Sequence, residues 1–410
     1  MYGNIIYNNE VIDDGMVTLF PAPHSYTGED TVEISCHGGS LVTSLVLEAL
    51  LTGGARAAMA GEFTRRAFVN GRLSLTSAEA IGNLLEAESR EQLRLASEPA
   101  RDRLGKELES IRGEITSVLS SIFARIDYPD EDLGELTDGE TVEALSLVRE
   151  RLHRLGASYR TGHAILEGVR TVICGKPNAG KSSIYNILVG DDAAIVTDIA
   201  GTTRDVLERS APLGRVMLRL HDTAGIRTDG SIDEVERIGI DRSRAEIERA
   251  ELILAIFDLS RPLDRGDEDV IDTLRRTQGV KIAILNKSDS GEKKDIPLPD
   301  GMFESVITVS AKSDSLGCRE LISKEVDRLF TDDKIRTAHD PIISSARQHS
   351  SLLVAERAID SAIDAIRQGI PIDAAASDID RALGAIGELD GRGVSESVTA
   401  DIFAKFCVGK

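Results

Sequence analysis

The sequence predicts a multidomain chain: an α/β domain with a phosphate-binding loop, set into an all-α helical domain and preceded by a small α+β segment. Three observations predict it. Gly175-Lys176-Pro177-Asn178-Ala179-Gly180-Lys181-Ser182 fits the pattern G-x-x-x-x-G-K-[ST], between a short β-prone run and a helical one. Downstream, apolar runs of strand length recur, and they lead into polar motifs. On both sides of this region apolar residues fall at three- and four-residue steps, the spacing of helices.

Composition sets the bounds. A chain of 410 residues exceeds one ordinary core, so two or three domains are expected. Hydrophobic content of 41% with 29% charged residues describes a globular protein. A net charge of −21 argues against passive, sequence-independent binding of nucleic acid, while leaving room for a local basic patch or for RNA delivered by a partner. No apolar run approaches the roughly 18 residues of a membrane helix, and Met1-Tyr2-Gly3-Asn4 has no signal-peptide character, so no membrane association is expected. The four cysteines, Cys36, Cys174, Cys318 and Cys407, are scattered without a C-x-x-C pair, a cytosolic pattern with no zinc or disulfide framework.

Residues 1–70 read as the α+β segment. Val17, Leu19 and Phe20 run into the turn Pro21-Ala22-Pro23. Thr31 to Ser35 alternates, with Val32 and Ile34 on one face and Glu33 on the other. Cys36-His37-Gly38-Gly39 breaks that strand, and Ser40 is placed to cap a helix carrying Leu41, Leu45, Leu47 and Leu51. His37 beside two glycines could serve catalysis; a lone histidine more often holds structure, and it is read that way here. Residues 71–165 are helical. Leu104, Leu108, Ile111, Ile115, Val118, Ile122 and Ile126 form a near-heptad stripe, expected to pack on partner helices. Asp127 to Glu140 holds seven acidic residues and no basic one, read as a solvated turn rather than a metal site.

The α/β domain is expected over 166–332, and helical spacing resumes over 333–410. Leu352, Ala355, Ile359, Ile363 and Ile366 precede Gly369 and Pro371, and Ile379, Leu383 and Ile386 follow. One helical domain interrupted by an inserted domain is the economical reading, since insertions go into surface loops. The terminal Cys407-Val408-Gly409-Lys410 has the bare form of a prenylation box, but neither Gly409 nor Lys410 suits one and no polybasic stretch lies upstream.

Within 166–332, Thr171 to Cys174 reads as a buried strand, and after the loop Ile184, Ile187 and Leu188 share a helical face that Gly190 can close. Glycines let backbone N–H groups turn inward around phosphate oxygens, and the helix N-terminus adds positive potential. Lys181 suits the β- and γ-phosphates and the Ser182 hydroxyl suits Mg²⁺. Asn178, Ala179, Gly180 and Ser183 complete the loop contacts. In Gly201-Thr202-Thr203-Arg204-Asp205 a threonine can reach Mg²⁺ and the γ-phosphate. Val216, Leu218 and Leu220 alternate into Asp222-Thr223-Ala224-Gly225, where the Asp can hold the Mg²⁺ shell and the Gly lets the backbone approach the γ-phosphate. Leu252 to Phe257 is continuously apolar, as in a sheet covered on both faces. Ile282 to Leu285 ends in Asn286-Lys287-Ser288-Asp289, whose terminal carboxylate can accept two N–H donors from guanine. Val306 to Val309 leads into Ser310-Ala311-Lys312, a second guanine contact.

These five motifs, in this order, resemble the translation-factor branch of GTPases, so the fold class becomes a P-loop GTPase domain inserted in a helical domain. Ras-like proteins place a Gln straight after the DTAG stretch to orient the attacking water. Here that position is Ile226, which cannot. Asn178 can ligate a monovalent cation, and Glu236 is a carboxylate placed to position water; its other reading is a solvated helix face.

A GTPase domain within a helical domain, ending in Phe406-Cys407-Val408-Gly409-Lys410, resembles the MnmE (TrmE) family of tRNA modification GTPases. Tyr26-Thr27-Gly28-Glu29-Asp30, His37-Gly38-Gly39, Gly61-Glu62-Phe63-Thr64-Arg65-Arg66-Ala67-Phe68 and Asp198-Ile199-Ala200-Gly201-Thr202-Thr203-Arg204-Asp205 support the likeness, which covers essentially the whole chain. The resemblance implies a cytoplasmic GTP hydrolase needing K⁺ and the juxtaposition of two GTPase domains. It implies a homodimer acting in a heterotetramer with the flavoprotein MnmG, building an aminomethyl-type or 5-carboxymethylaminomethyl group on the wobble uridine of certain tRNAs. By position, Asn178, Thr197, Ile199 and Thr202 surround K⁺, the middle two through their carbonyls; Ser182 and Thr203 hold Mg²⁺; and Glu236 orients water. Asp198, Ala200 and Gly201 join the nucleotide contacts. Residues 1–70 imply a dimerisation domain that binds 5-formyl-tetrahydrofolate, with Glu33, Arg72 and Lys410 at matching positions, and Cys407 is the terminal cysteine suspected of a chemical role.

Two departures shape the expectation. The family's opening strands, with a folate-binding Arg, have no counterpart, so folate binding and dimerisation are expected to be impaired. The loop Arg227 to Ile232 looks longer than usual, so Glu236 rests on the match of Glu234-Val235-Glu236-Arg237-Ile238-Gly239. The alternative, a ribosome-assembly GTPase switch of the Era or Der type, requires a KH-type module or a second GTPase domain, and neither is found. A scaffold with a decayed site is disfavoured by the intact Lys181, Ser182, Asp222 and Asn286 to Asp289.

Overall fold

The computed structural model describes residues 1–128, 136–190, 208–221, 246–290, 296–393, 396–404 and 406. It divides into two compact units, one made of residues 1–86, 96–153 and 350–410, the other of 87–95 and 154–349.

The first unit opens with an antiparallel sheet of β1 (Tyr2–Tyr7), β2 (Glu10–Phe20) and β3 (Thr31–Ser35), in that order. At Gly15 β2 passes close to β3: a Cβ there would run into the Ser35 carbonyl. Val32 and Ile34 do alternate against Glu33, yet Val32 remains 55% exposed, so its face of the sheet is only partly covered. Helix α1 (Ser40–Thr52) starts one residue away from the expected cap. Extended Gly39 is the N-cap and Ser40 is the first helical residue, with no side-chain cap. Of its apolar residues it is Val46 that is buried, while Leu41, Leu47 and Leu51 stay exposed.

Helices α2 (Glu62–Val69), α3 (Leu75–Leu85) and α5 (Glu98–Asp127) follow, while α4 (Arg90–Ala96), between α3 and α5 in sequence, belongs to the second unit except for its last residue. The apolar stripe forms the buried face of α5 from Leu104 to Ile122. Leu119, outside the stripe, joins it, whereas Ile126 is 40% exposed in the last turn, where the helix runs out at Tyr128. Further on come α6 (Asp138–Ala157) and, already in the second unit, α7 (Tyr159–Leu166), and the C-terminal helices are α11 (Ala346–Arg367), α12 (Ile372–Asp390) and α13 (Glu396–Ala404). α12 packs along α5 and α3. It presents Ala375, Ile379, Ala382 and Ile386, small and branched residues that let two helices approach. Phe403 and Phe406 close this unit against Phe68, Ala78 and Ile81.

The second unit is built on a sheet of β4 (Val169–Gly175), β5 (Glu208–Leu213), β6 (Val216–His221), β7 (Leu252–Asp258), β8 (Val280–Asn286) and β9 (Ser305–Thr308), in the order β5-β6-β4-β7-β8-β9. Among the described strand pairs of this sheet, only the edge pair β5–β6 is antiparallel. Every residue of β7 is buried, and alternation sends Leu252, Leu254 and Ile256 into one core and Ile253, Ala255 and Phe257 into the other. Ile184 and Leu188 of α8 (Lys181–Val189), with Ile322 and Val326 of α10 (Ser315–Phe330), fill the first core. Ile271 and Leu274 of α9 (Arg265–Leu274) fill the second. Two covered faces account for the apolar runs that alternate with nothing polar. β4 neighbours β6 on one side and β7 on the other, so the loop after β4 leaves the sheet at its switch point, where such sheets bind ligands. Among the described residues, no helix is long and apolar enough to cross a membrane.

Candidate nucleotide site

The loop from Gly175 to Ser182 needs three left-handed residues, and the sequence supplies residues that tolerate them. Gly175, Asn178 and Gly180 have φ of 139°, 64° and 110°. At Gly175 a Cβ would strike the Ile256 carbonyl of the neighbouring strand. Gly180 is the N-cap of α8, which leaves the first-turn N–H groups of Lys181, Ser182 and Ser183 without intrahelical partners. Lys181 turns its Nζ back on the loop, donating to the carbonyls of Gly175 (2.9 Å) and Lys176 (2.8 Å). Burial lowers the pKa of this ammonium.

Asn286, at the end of β8, joins three motifs. Its Nδ2 donates to the Ala179 carbonyl at 2.9 Å, and its Oδ1 accepts from the Ala311 N–H at 3.0 Å. The side chain is 3% exposed, and a Cβ at Gly180 would overlap its amide nitrogen. Beyond it, Lys287 is left-handed (φ 68°) and Ser288 N–H donates to the Val309 carbonyl at 3.1 Å. Asp289 is exposed, and its Oδ1 accepts from the Ser310 hydroxyl at 2.6 Å. That bond holds the Asp289 carboxyl below the usual carboxylate range, so it is an ionised acceptor at neutral pH.

Asn178, Gly180, Lys181, Ser182, Ser183, Asn286, Lys287, Asp289, Ala311 and Lys312 therefore line one cavity of about 600 Å³, a volume suited to a ligand of nucleotide size. Ala179, Ser288 and Ser310 act behind its wall, through a carbonyl, an N–H and a hydroxyl. Ser290 also lines it, a position the motif pattern does not specify.

A second layer was not legible in the motifs. Lys287 Nζ reaches Asp258 Oδ2 at the end of β7, 2.7 Å away, and Asp258 also accepts from the Ser260 N–H at 3.0 Å. Burial opposes ionisation of Asp258, but Lys287 and Ser260 outweigh it and its pKa stays lowered. Arg261 continues the row to Asp267 (2.9 Å) and Asp264 (3.0 Å), and Lys176 of the phosphate loop pairs with Asp264. An Asp ending the strand next to the loop is the only signal the sequence offered for it.

The other expected site residues divide in two. Thr197, Asp198, Ile199, Ala200, Gly201, Thr202, Thr203, Asp222, Thr223, Ala224, Gly225, Ile226, Glu236, Cys407 and Lys410 lie outside the described residues. Glu33 is exposed on β3 opposite Thr18, and Arg72 is exposed just past α2, with its stem against Gly28. His37 is held rather than free: Asp13 accepts from its backbone N–H and pairs with its Nδ1, both at 2.8 Å.

Two family models match the chain. One, described as the MnmE helical domain, covers residues 75–407; the other, described as the GTP-binding protein TrmE N-terminus, covers residues 1–72. The chain is similar to the tRNA modification GTPase MnmE of Thermotoga petrophila, 39% identical over 100% of this chain and 90% of that one. It is 39% identical to the protein of that description from Bacillus mycoides, over 100% of this chain and 89% of the relative. The Lacticaseibacillus paracasei counterpart is 37% identical over 100% of this chain and 88% of its own length.

Proposed function

Since the chain belongs to the MnmE family of tRNA modification GTPases, we propose that its GTP hydrolysis drives modification of the wobble uridine in certain tRNAs, together with the flavoprotein MnmG. The observation that carries the nucleotide assignment is Asn286, whose one amide ties the phosphate loop to the Ser310-Ala311-Lys312 segment and so puts Lys181 and Asp289 on the same cavity. On this reading Lys181 leaves the Gly175 and Lys176 carbonyls for the β- and γ-phosphates, and Asp289 accepts the two N–H groups of guanine. Ser182, an exposed hydroxyl at the start of α8, suits Mg²⁺, and the exposed, left-handed Asn178 suits K⁺. Both ions, when bound, supply positive charge to the phosphoryl oxygens. We assign Thr203 to Mg²⁺, Asp222 to its shell, Thr197, Ile199 and Thr202 to K⁺, and Glu236 to the attacking water. Residues 71–165 and 333–410 are assigned to one helical domain with 166–332 inserted. Glu33, Arg72 and Lys410 are assigned to 5-formyl-tetrahydrofolate, Cys407 to the modification chemistry, and the protein to a cytoplasmic homodimer; the family match supports these assignments.

Deleting the gene should remove the aminomethyl-type substituent from wobble uridines, read by mass spectrometry of tRNA nucleosides. The wild-type gene should restore it and Lys181→Ala should not. Unchanged wobble nucleosides in the deletion strain would overturn the proposal. Guanine specificity has its own test. Asp289→Asn exchanges one acceptor for a donor and should shift preference from guanosine to xanthosine nucleotides, lowering GTP affinity roughly 100-fold as a charged hydrogen-bond pair is lost. A variant that still prefers GTP would show that Asp289 does not read the base.

A further inference from the structure

Lys287 carries a left-handed backbone (φ 68°), which a lysine keeps only where its surroundings impose it. Three ties impose it. The Leu259 N–H donates to the Asn286 carbonyl at 2.9 Å and the Ser288 N–H to the Val309 carbonyl at 3.1 Å, so the backbone is pinned on either side. The third tie is the side chain, whose Nζ donates to Asp258 Oδ2 at 2.7 Å. Asp258 ends β7 and is 8% exposed. Its other oxygen accepts from the Ser260 N–H (3.0 Å) and hydroxyl (2.5 Å), so the carboxylate that receives the ammonium is itself locked to the strand end.

What these ties hold is the turn that carries Asp289. The Lys287 carbonyl accepts from the Ser290 N–H at 3.0 Å, closing the turn around Ser288 and Asp289. Lys287, Asp289 and Ser290 line the nucleotide cavity, whereas Asp258 does not. A buried carboxylate outside the cavity thus fixes a wall residue whose backbone sets where Asp289 stands. Ser310 holds the Asp289 carboxylate directly, and Asp258, through Lys287, holds the backbone that bears it.

We infer that Asp258 is a positioning residue for base recognition, acting through Lys287 to hold Asp289 where it meets both N–H donors of guanine. This rests on the assignment of Asp289 to guanine made above. A fixed acceptor separates a base with two donors from a base with one, whereas an acceptor free to drift follows the remaining donor and discriminates less. Hypoxanthine keeps the ring N–H of guanine and lacks its 2-amino group, so inosine diphosphate (IDP) is the probe. Wild type should bind GDP about 10-fold or more tighter than IDP, the worth of one hydrogen bond to a charged acceptor. Asp258→Asn keeps the shape of the side chain and removes its charge. It should weaken GDP about 10-fold and cut the preference over IDP to about threefold or less. At saturating GTP kcat should stay within about threefold, because no phosphate contact is touched and the loss falls in KM. Lys287→Met keeps an unbranched stem without the ammonium, while Arg261 Nε, 3.7 Å from Asp258 Oδ2, still offsets the buried charge. In that background Asp258→Asn should add little, since the contact it removes is already gone. Arg275→Ala, just past α9 and paired with Asp272, should match wild type throughout.

The experiment is calorimetric titration of the full chain with GDP and IDP in Mg²⁺, beside steady-state GTP turnover and a thermal melt. Full GDP-over-IDP preference in Asp258→Asn, whether with a lower melting temperature or with a uniform loss of affinity, would reduce Asp258 to a brace and overturn the inference. Additive losses in the double variant would overturn it too. Should Asp258→Asn fail to fold, Lys287→Met decides, because its preference should fall by the same measure. If wild type itself binds GDP and IDP alike, the assignment of Asp289 to the base fails and takes the inference with it; a wild-type preference that survives Asp258→Asn sinks the inference alone.

Discussion

GTP turnover is expected to be about 10³-fold faster in KCl than in NaCl at equal ionic strength, the lower end of the roughly 10³–10⁵ that a cation in trans contributes to related phosphoryl transfers. The reasoning begins from a missing group. Ile226 has no polar atom to orient water, so the catalytic help has to come from elsewhere, and a monovalent cation beside the β- and γ-phosphates would supply it by neutralising developing charge. Asn178 is a cavity-lining loop residue with a neutral amide oxygen to offer, and its backbone is left-handed. Asn178→Ala should remove the K⁺ preference and leave GDP affinity within about threefold, because base and phosphate contacts are untouched. Glu236→Ala should slow hydrolysis at unchanged nucleotide affinity, since its carboxylate is assigned to water and not to GTP. Stopped-flow or phosphate-release assays in the two salts check this, and equal rates in Na⁺ and K⁺ would falsify the cation assignment.

The second large effect is expected at Gly180. A methyl group there overlaps the Asn286 amide nitrogen, and the backbone at φ 110° disfavours any side chain. Asn286 cannot swing aside cheaply, because it is buried and bonded at both ends. Moving it breaks two hydrogen bonds, each about 1 kcal/mol or more when the partners are left buried, and the left-handed alanine adds about 1–2 kcal/mol. Gly180→Ala should therefore weaken guanine nucleotides by about 3–4 kcal/mol, several hundred-fold. The far-ultraviolet circular dichroism should be nearly unchanged, since the change sits at one helix cap. Adding Asn286→Ala should cost less than the sum of the single losses, because the second change removes the atom the first one strikes. Titration with a fluorescent GDP reads all three variants, and wild-type affinity in Gly180→Ala would show that the amide is not fixed by its contacts.

Much of the α/β unit was legible because its signals are local. A strand buried on both faces has to be apolar at every position, as β7 is, and a phosphate loop has to carry glycines where the backbone turns left-handed. The N-terminal unit was less legible. The leucines placed on α1 from the sequence carried no sign of which side is covered, and Val46 is the residue that is buried, because the cover a small sheet offers cannot be read from helix spacing. Ile126 kept the heptad step and still emerged into solvent, because partner packing and not periodicity decides where a stripe stops being buried. Contacts between residues distant in sequence left no trace. Asn286 meets Ala179, Lys287 meets Asp258, Gln92 donates to the Leu166 carbonyl, and Arg319 meets Pro212, each through a side chain whose target is a position in space.

Lys181 already spends two of its three donors on its own loop. Nucleotide capture is then an exchange of partners rather than the filling of a bare electropositive hole. On the proposed assignment, a ligand has to offer oxygens at the right depth, with its base at Asp289, to give the ammonium more than it relinquishes. A polyanion passing over the surface meets a cation turned inward and a chain carrying −21 overall. On the proposed assignment, the folding of one side chain onto two carbonyls would act as a filter, favouring a small phosphate ester that reaches into the loop over a polyanion held at the surface.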